Sequence, residues 1–290
     1  DGTHTIVGRS PTFGAPSLKA IAFSSIIRSS MKQIEYISYG GGTPSLALII
    51  LNLKGEIKPI TDREKVDEII FADTGWDRTD TMEQMLEIQK YVKSHGYNFK
   101  IVQSKYGSLE TYLYNNLTKN ENKGFLPIPY HSRDKGIGQR QCTNQFKIQP
   151  INTYIREKYG SVSRVAQLGI HYDEFYRVKD PKAKKDVNRF PLVDLKLRRA
   201  DCIKIVAETG LPMPPKSACV GCPYLPPSRF IELNHENPKD FERAEKIDNL
   251  MNPKGKYLSS TRIPLSSLKN QSVFPEILED SSCESGYCFT

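Results

Sequence analysis

The sequence predicts an α/β protein: a three-layer α/β/α sandwich around a mostly parallel five-strand sheet, followed by a helical C-terminal part. Three observations carry that expectation. β-favouring apolar runs recur at Ile34–Ile37, Ile69–Ala72, Phe99–Val102 and Val162–Leu168, with helical stretches between them. The first run leads through three consecutive glycines into the wholly apolar stretch Leu46–Leu51, as a buried strand–turn–helix unit does. Past residue 195 the strand signal stops, and helix and loop signals take over. The readings divide the chain into a leader (1–30), an α/β part (31–195) and a helical region with a tail (196–290).

Bulk properties bound the function. The 290 residues are 38% hydrophobic and 26% charged, an ordinary composition for a domain with a full core. No apolar run approaches the ~20 residues of a membrane span. The net charge of +8 suits polyanionic partners such as nucleotides, nucleic acid or sulfate esters. The leader holds Arg9, Lys19 and Arg28 against Asp1, so the remainder stays basic at 8 − 2 = +6. The leader itself, just before Met31, reads as a cloning remnant, a read-through segment or an organelle presequence. The six cysteines do not form the dense paired framework of a secreted scaffold. The expectation is therefore a cytoplasmic protein with reduced thiols.

In chain order, Ile34–Ile37 is the first strand, and Ser38 to Ser45 the turn after it. Gly40, Gly41 and Gly42 let the backbone approach a ligand closely. Pro44 suits a first helical turn. The N–H groups of such a turn, with the Ser38 and Ser45 hydroxyls, face an anion, most often a phosphate. The second strand ends in Asp73-Thr74-Gly75, at the carboxyl edge where parallel sheets bind ligands. Asp73 there either faces a nucleotide or Mg²⁺, or closes a turn. Asp80 and Glu83 have capping-box spacing and open a helix with a buried stripe of Met82, Met85, Leu86, Tyr91 and Val92, ending at Gly96. Phe99–Val102 is the third strand, and Ser108–Asn116 a helix.

Residues 119–140 form a long polar loop that delivers Arg140, Cys142 and then Lys147. Two cations beside a thiol suit an anionic, sulfur-handling pocket. Val162–Leu168 is the next strand and runs into Gly169-Ile170-His171-Tyr172-Asp173-Glu174, with Arg177 three residues on. His171 stands apart from other histidines and reads as a hydrogen-bonding residue. Lys179, Lys182, Lys184 and Lys185 form a solvated run or a nucleic-acid contact. Helices are expected at Arg198–Thr209, Ser228–His235 and Lys239–Met251, with residues 252–290 mostly irregular. Pro212–Pro215 carries the chain to Lys216 and to Cys219-x-x-Cys222. This pair can hold a metal or act as a dithiol. Pro223 after Cys222 matches the Cys-Pro ending of iron–sulfur ligand runs, and the second close pair of a structural zinc site is missing. Cys142 and Cys202 could converge on the pair at the sheet's carboxyl edge, giving four thiolates from three segments.

The turn Gly40-Gly41-Gly42-Thr43-Pro44-Ser45 resembles the SGGxDS pyrophosphate loop of the ATP-pyrophosphatase and phosphoadenylyl-sulfate (PAPS) reductase superfamily, with Pro44 where that family has Asp. Further matching segments are Phe71–Trp76, Arg140–Thr143, Phe146–Pro150, Gly169–Glu174 and Lys216–Pro223, as in the reductase-like branch found in phage and bacterial genomes. The resemblance implies adenine nucleotide α-hydrolase-like topology and an iron–sulfur enzyme performing sulfur chemistry on a sulfonucleotide or adenylated substrate. It implies an ATP or PAPS-type nucleotide, with Mg²⁺, at Ser38, Gly40, Gly41, Gly42, Ser45, Asp73, Thr74, Gly75, Arg140, Lys147 and Arg177. It implies a [4Fe–4S] cluster, or zinc, on Cys142, Cys202, Cys219 and Cys222, and an electron or sulfur donor protein as partner. In PAPS reductases a nucleophilic cysteine sits on the C-terminal tail. Cys288 would take that role, with Cys283 resolving, although the local motif differs. Rival expectations are ATP-dependent thiolation of nucleic acid, and a non-catalytic zinc-containing nucleic-acid-binding protein.

Overall fold

The computed structural model describes residues 32–133, 136–181, 183–215 and 218–271. The leader, Lys182, Lys216, Cys283 and Cys288 lie outside the described residues. Five strands form one wholly parallel sheet in the order β3-β2-β1-β6-β7. They are β1 (Gln33–Tyr39), β2 (Glu68–Asp73), β3 (Phe99–Gln103), β6 (Ser163–Leu168) and β7 (Val187–Arg189). The edge strand β7 had no signal in sequence, since its three residues are only half-buried.

Alternation along β1 separates the two faces. Ile37 and Tyr39 point to one, where α1 (Thr43–Leu53) and α2 (Thr79–Ser94) pack with Leu192 of the short α5 (Pro191–Asp194) and with α6 (Arg199–Ala207). Ile34 and Tyr36 point to the other, covered by α4 (Gln149–Tyr159) through Ile151 and Ile155. α1 is buried almost all round, as its unbroken apolar sequence requires. The stripe of α2 is Thr81, Gln84, Met85, Ile88 and Val92. Leu86 lies outside it and is exposed. The Asp80 capping box is likewise replaced. Asp80 pairs with Arg78, while the α2 terminus is capped from a distant helix by Asp240, whose carboxylate accepts from Thr79 N at 2.8 Å and Thr79 Oγ1 at 2.9 Å.

A second apolar cluster joins α3 (Leu109–Thr118), α7 (Pro227–Glu236) and α8 (Pro238–Met251), around Trp76, Phe146, Phe230 and Phe241. Beside it lies a small antiparallel sheet. β4 (His131–Ser132) pairs with both β5 (Gly136–Ile137) and β8 (Lys256–Tyr257). Sequence reading left these segments irregular because two-residue strands carry no periodicity.

Two buried polar groups pin the architecture. Glu35 in β1 accepts from Gln167 Nε2 of β6 at 2.7 Å, from Arg189 of β7 and from Ile60 N at 2.7 Å, so it braces three adjacent strands. Asp248 of α8 accepts from Leu258 N and Leu265 N, both at 2.8 Å, and from Asn252 Nδ2 at 3.1 Å. Burial raises its pKa, and the three donors oppose that rise.

Asp248→Asn keeps the shape but places an amide N–H₂ against backbone donors. Loss of stability of about 2–4 kcal/mol is expected, on the order of 1–3 kcal/mol for each buried group left unsatisfied, read by urea unfolding.

Candidate functional site

The sheet order reverses direction between β1 and β6, and parallel sheets bind ligands in the crevice at such a point. A cavity of about 270 Å³ opens there. One wall is the turn after β1. Gly41 has φ +77°, Gly42 caps α1 with extended backbone, and Pro44 sits in the helix's first turn. Ser45 Oγ donates to Gly42 O at 2.9 Å and accepts from Gly40 N at 3.3 Å, closing the turn on itself. Ser38, Gly40, Gly42, Thr43 and Ser45 all line the cavity. The facing wall begins at Gly169, after β6. A Cβ on Gly169 would lie 2.5 Å from Ser45 Cα, so only glycine lets the two walls approach this closely.

Basic side chains converge on the cavity from four segments: Arg140 and Lys147, Arg177, Arg199, and Arg229. Pro127 O accepts from Gln141 N at 2.7 Å and Cys142 N at 2.8 Å, which fixes the Arg140–Cys142 segment. Lys147 rides on a π-helical turn, Asn144–Ile148, whose wide ring is a recurrent feature of functional sites. The Arg140 guanidinium lies over the Tyr224 ring, 5.5 Å from its centroid. Arg177 is held by Glu174 at 2.7 Å. His171 is buried between Asp173 (3.4 Å from Nδ1) and Glu174 (3.5 Å from Nε2). Burial depresses its pKa more than the two carboxylates raise it, with Arg199 and Arg177 adding to the depression, so the ring is neutral at pH 7.

Three thiols, Cys142, Cys219 and Cys222, share this cavity. Cys219 is carried to it by an isolated antiparallel bridge to Asp77, with Val220 N donating to Trp76 O at 2.9 Å. The Cys219–Cys222 turn closes through Cys222 N to Cys219 O, 3.1 Å. Gly221 lies against the buried Trp76 ring, where a Cβ would come within 2.4 Å of the indole. Thr74 Oγ1 and Asp77 Oδ1 stand 3.6 and 3.8 Å from Cys219 Sγ. Burial above all, then Asp77, pushes the Cys219 thiol well above its ordinary pKa; Lys147 opposes this, while Cys222 and Cys142 add to it. Among the described residues, no three His, Cys, Asp or Glu side chains converge tightly enough to share one ion.

Several expected site residues sit elsewhere. Cys202 does not join the other thiols. It is buried in the α1–α6 interface as a small apolar residue, and desolvation pushes its pKa up to about 12. Asp73 is a turn residue, accepting from Gly75 N and Gln103 Nε2, both at 2.7 Å. Thr74 and Gly75 stand behind the cavity wall. Thr74 Oγ1 donates to Asp77 at 2.7 Å, and Gly75 O accepts from Ser108 Oγ at 3.0 Å. Gly41 shapes the turn without lining the space. Sequence reading missed Arg199 and Arg229, single cations on helices, and Tyr224, which directly follows the Cys-x-x-Cys-Pro segment but carries no chemistry that marks it there. Gly169, one residue past a strand end, was the signal that could have located the facing wall.

Gly169→Ala and Gly221→Ala each force a Cβ into occupied space, against the α1 backbone and the Trp76 ring. Each is expected to cost about 1–3 kcal/mol of stability in chemical denaturation.

No family model matches the chain, and no curated protein matches it. Among solved structures, the phosphoadenylyl-sulfate (PAPS) reductase of Candida auris, in a phosphate complex, is similar with a TM-score of 0.43 at 13% identity. The match covers 69% of this chain and 90% of that one.

Proposed function

We propose that the protein is a PAPS-reductase-like enzyme that binds an adenine nucleotide in this cavity and performs sulfur chemistry beside it. The observation that carries the reading is the joint presence, around one cavity, of a glycine turn, five basic side chains and three thiols. The turn at the start of α1 offers backbone donors to phosphoryl oxygens. Arg140, Lys147 and Arg177 would neutralise phosphate or sulfate charge, joined by Arg199 and Arg229. Trp76, Leu109, Ile128 and Tyr224 give the rest of the cavity the apolar and aromatic surface that a base needs. Pro44, in place of an acidic residue, leaves phosphate binding intact and favours a nucleotide that is held over one whose pyrophosphate is released.

For the three thiols an iron–sulfur cluster is preferred, with zinc as the alternative: Pro223 directly after Cys222 matches the Cys-Pro ending of iron–sulfur ligand runs, and the second close pair of a structural zinc site is missing from the sequence. Cys142, Cys219 and Cys222 would hold the cluster, and it would supply electrons or sulfur. Cys219, buried and protonated at neutral pH, is poorly suited to act as a free nucleophile, and a metal centre would ionise it. Cys288, with Cys283, remains our candidate for the attacking thiol.

Anaerobically prepared protein is expected to be brown and to contain iron. Cys142→Ser, Cys219→Ser and Cys222→Ser should each lose the colour, while Cys202→Ala should keep it. Colourless protein after iron–sulfur reconstitution would refute the cluster. Calorimetric titration with ATP and with PAPS should show binding that weakens ~10-fold or more in Arg140→Ala and in Lys147→Ala. Equal affinity in wild type and both variants would refute the phosphoryl site. Cys288→Ser should abolish sulfite release from PAPS and leave nucleotide binding unchanged.

A further inference from the structure

Immediately after the cavity wall at Gly169, the chain makes two short 3₁₀ turns over Tyr172–Arg177, kinked at Glu174. His171, Glu174 and Arg177 line the cavity. Tyr172, Phe175 and Val178 do not, and they are exposed. Phe175 is 61% accessible, Val178 40% and Tyr172 38%. Tyr176 adds a further ring, 57% accessible. The Tyr172 and Phe175 rings lie 6.2 Å apart, with planes tilted by 31°. Nothing in the fold requires three aromatic rings to stand in water beside the mouth of a binding cavity.

The surroundings identify what would cover them. The cavity behind the ridge carries five basic side chains. Lys179, Lys184 and Lys185 follow the turn and are exposed, as is Arg198 near the start of α6. Of the nearby carboxylates, Glu174 pairs with Arg177 and Asp186 with Arg164, while Asp173, itself exposed, accepts from Arg199 N at 3.0 Å and faces Arg198, and Asp180 is exposed; the lysines and arginines outnumber them. Flat rings set among cations fit a ligand with flat faces and a polyanionic backbone. Only unpaired nucleotides offer both at once, because duplex bases are already stacked.

We propose that a single-stranded nucleic acid lies along the Tyr172–Phe175–Tyr176 ridge, bases against the rings, and reaches the mouth of the cavity. The proposal rests on the reading of the cavity as a phosphoryl site and adds a second substrate to it: a strand at the mouth, beside the free nucleotide held within.

The test is fluorescence anisotropy of the full chain with labelled single-stranded DNA, single-stranded RNA and a duplex of the same sequence, over a salt series. ATP binding is measured on the same preparations. Single strands should bind tighter than the duplex, with the stronger of DNA and RNA naming the source. The Phe175→Ala/Tyr176→Ala double variant should lose ~10-fold or more in strand affinity. Its salt slope and its ATP affinity should be unchanged, because rings and not charges are removed. Phe175→Trp should retain binding. The proposal is overturned if the double variant binds the strand like wild type, if the duplex binds equally well, or if wild type binds no strand. In the last case, retained ATP binding leaves the cavity reading standing, and its loss removes both. A mass doubling that the double variant abolishes, with no strand bound, would assign the ridge to a second copy of the chain.

Discussion

The approach of Gly169 to Ser45 is the contact on which the site's geometry depends. It sets the carboxyl end of β6 directly against the first turn of α1, with no side chain between the backbones. The glycine turn and the His171–Arg177 turn thereby become opposite lips of one crevice. Any larger residue at position 169 would separate the lips and disperse the cations gathered between them. The Glu35 brace ties β1 to β6 and β7 through Gln167, two residues before Gly169, and Arg189, so the strands that carry the lips are joined just below them.

The thiol side is secured by a different means. Cys219 belongs to a loop with little regular structure of its own, yet it is fixed by backbone pairing to Trp76–Asp77 at the end of β2. That segment is in turn clamped by α8. Arg243 reaches Gly75 O, Asp77 O, Glu110 and Asp240, while Asp240 caps α2. The helical C-terminal region thus serves to hold one short stretch after β2, and through it the Cys-x-x-Cys loop. Burial of Cys219 beside Asp77 costs free energy in any ionised, metal-free state. Fold stability and thiol chemistry meet at that residue.

Sequence reading succeeded where physics is local. The strand–turn–helix unit at 34–51, the central strands and the α8 helix announce themselves by periodicity, glycine and proline placement. It also gathered Arg140, Cys142, Lys147, Arg177, Cys219 and Cys222, which the fold does bring to one cavity. It failed where long-range partners decide. For Asp73 it left a ligand role and a turn role open; the carboxylate accepts from Gly75 N, closing the turn, and from Gln103 Nε2, 30 residues away. Asp80 loses the capping role to Asp240, 160 residues away in sequence. Cys202 has the right residue type, but its helix faces α1, so it becomes core. The exposed ridge at 172–176 was hidden because aromatic residues in a short turn read as ordinary packing until their exposure is known.

Trp76 carries a last consequence. It is the chain's single tryptophan, fully buried, with its ring pressed on Gly221 between the paired cysteines and its edge in the cavity lining. Its emission therefore comes from one place only, an apolar pocket within contact distance of the thiol loop. Iron seated on those thiols would drain that excited state by energy transfer, and a base stacked nearby would dim it further. The molecule carries its own optical gauge of that pocket, readable without any label.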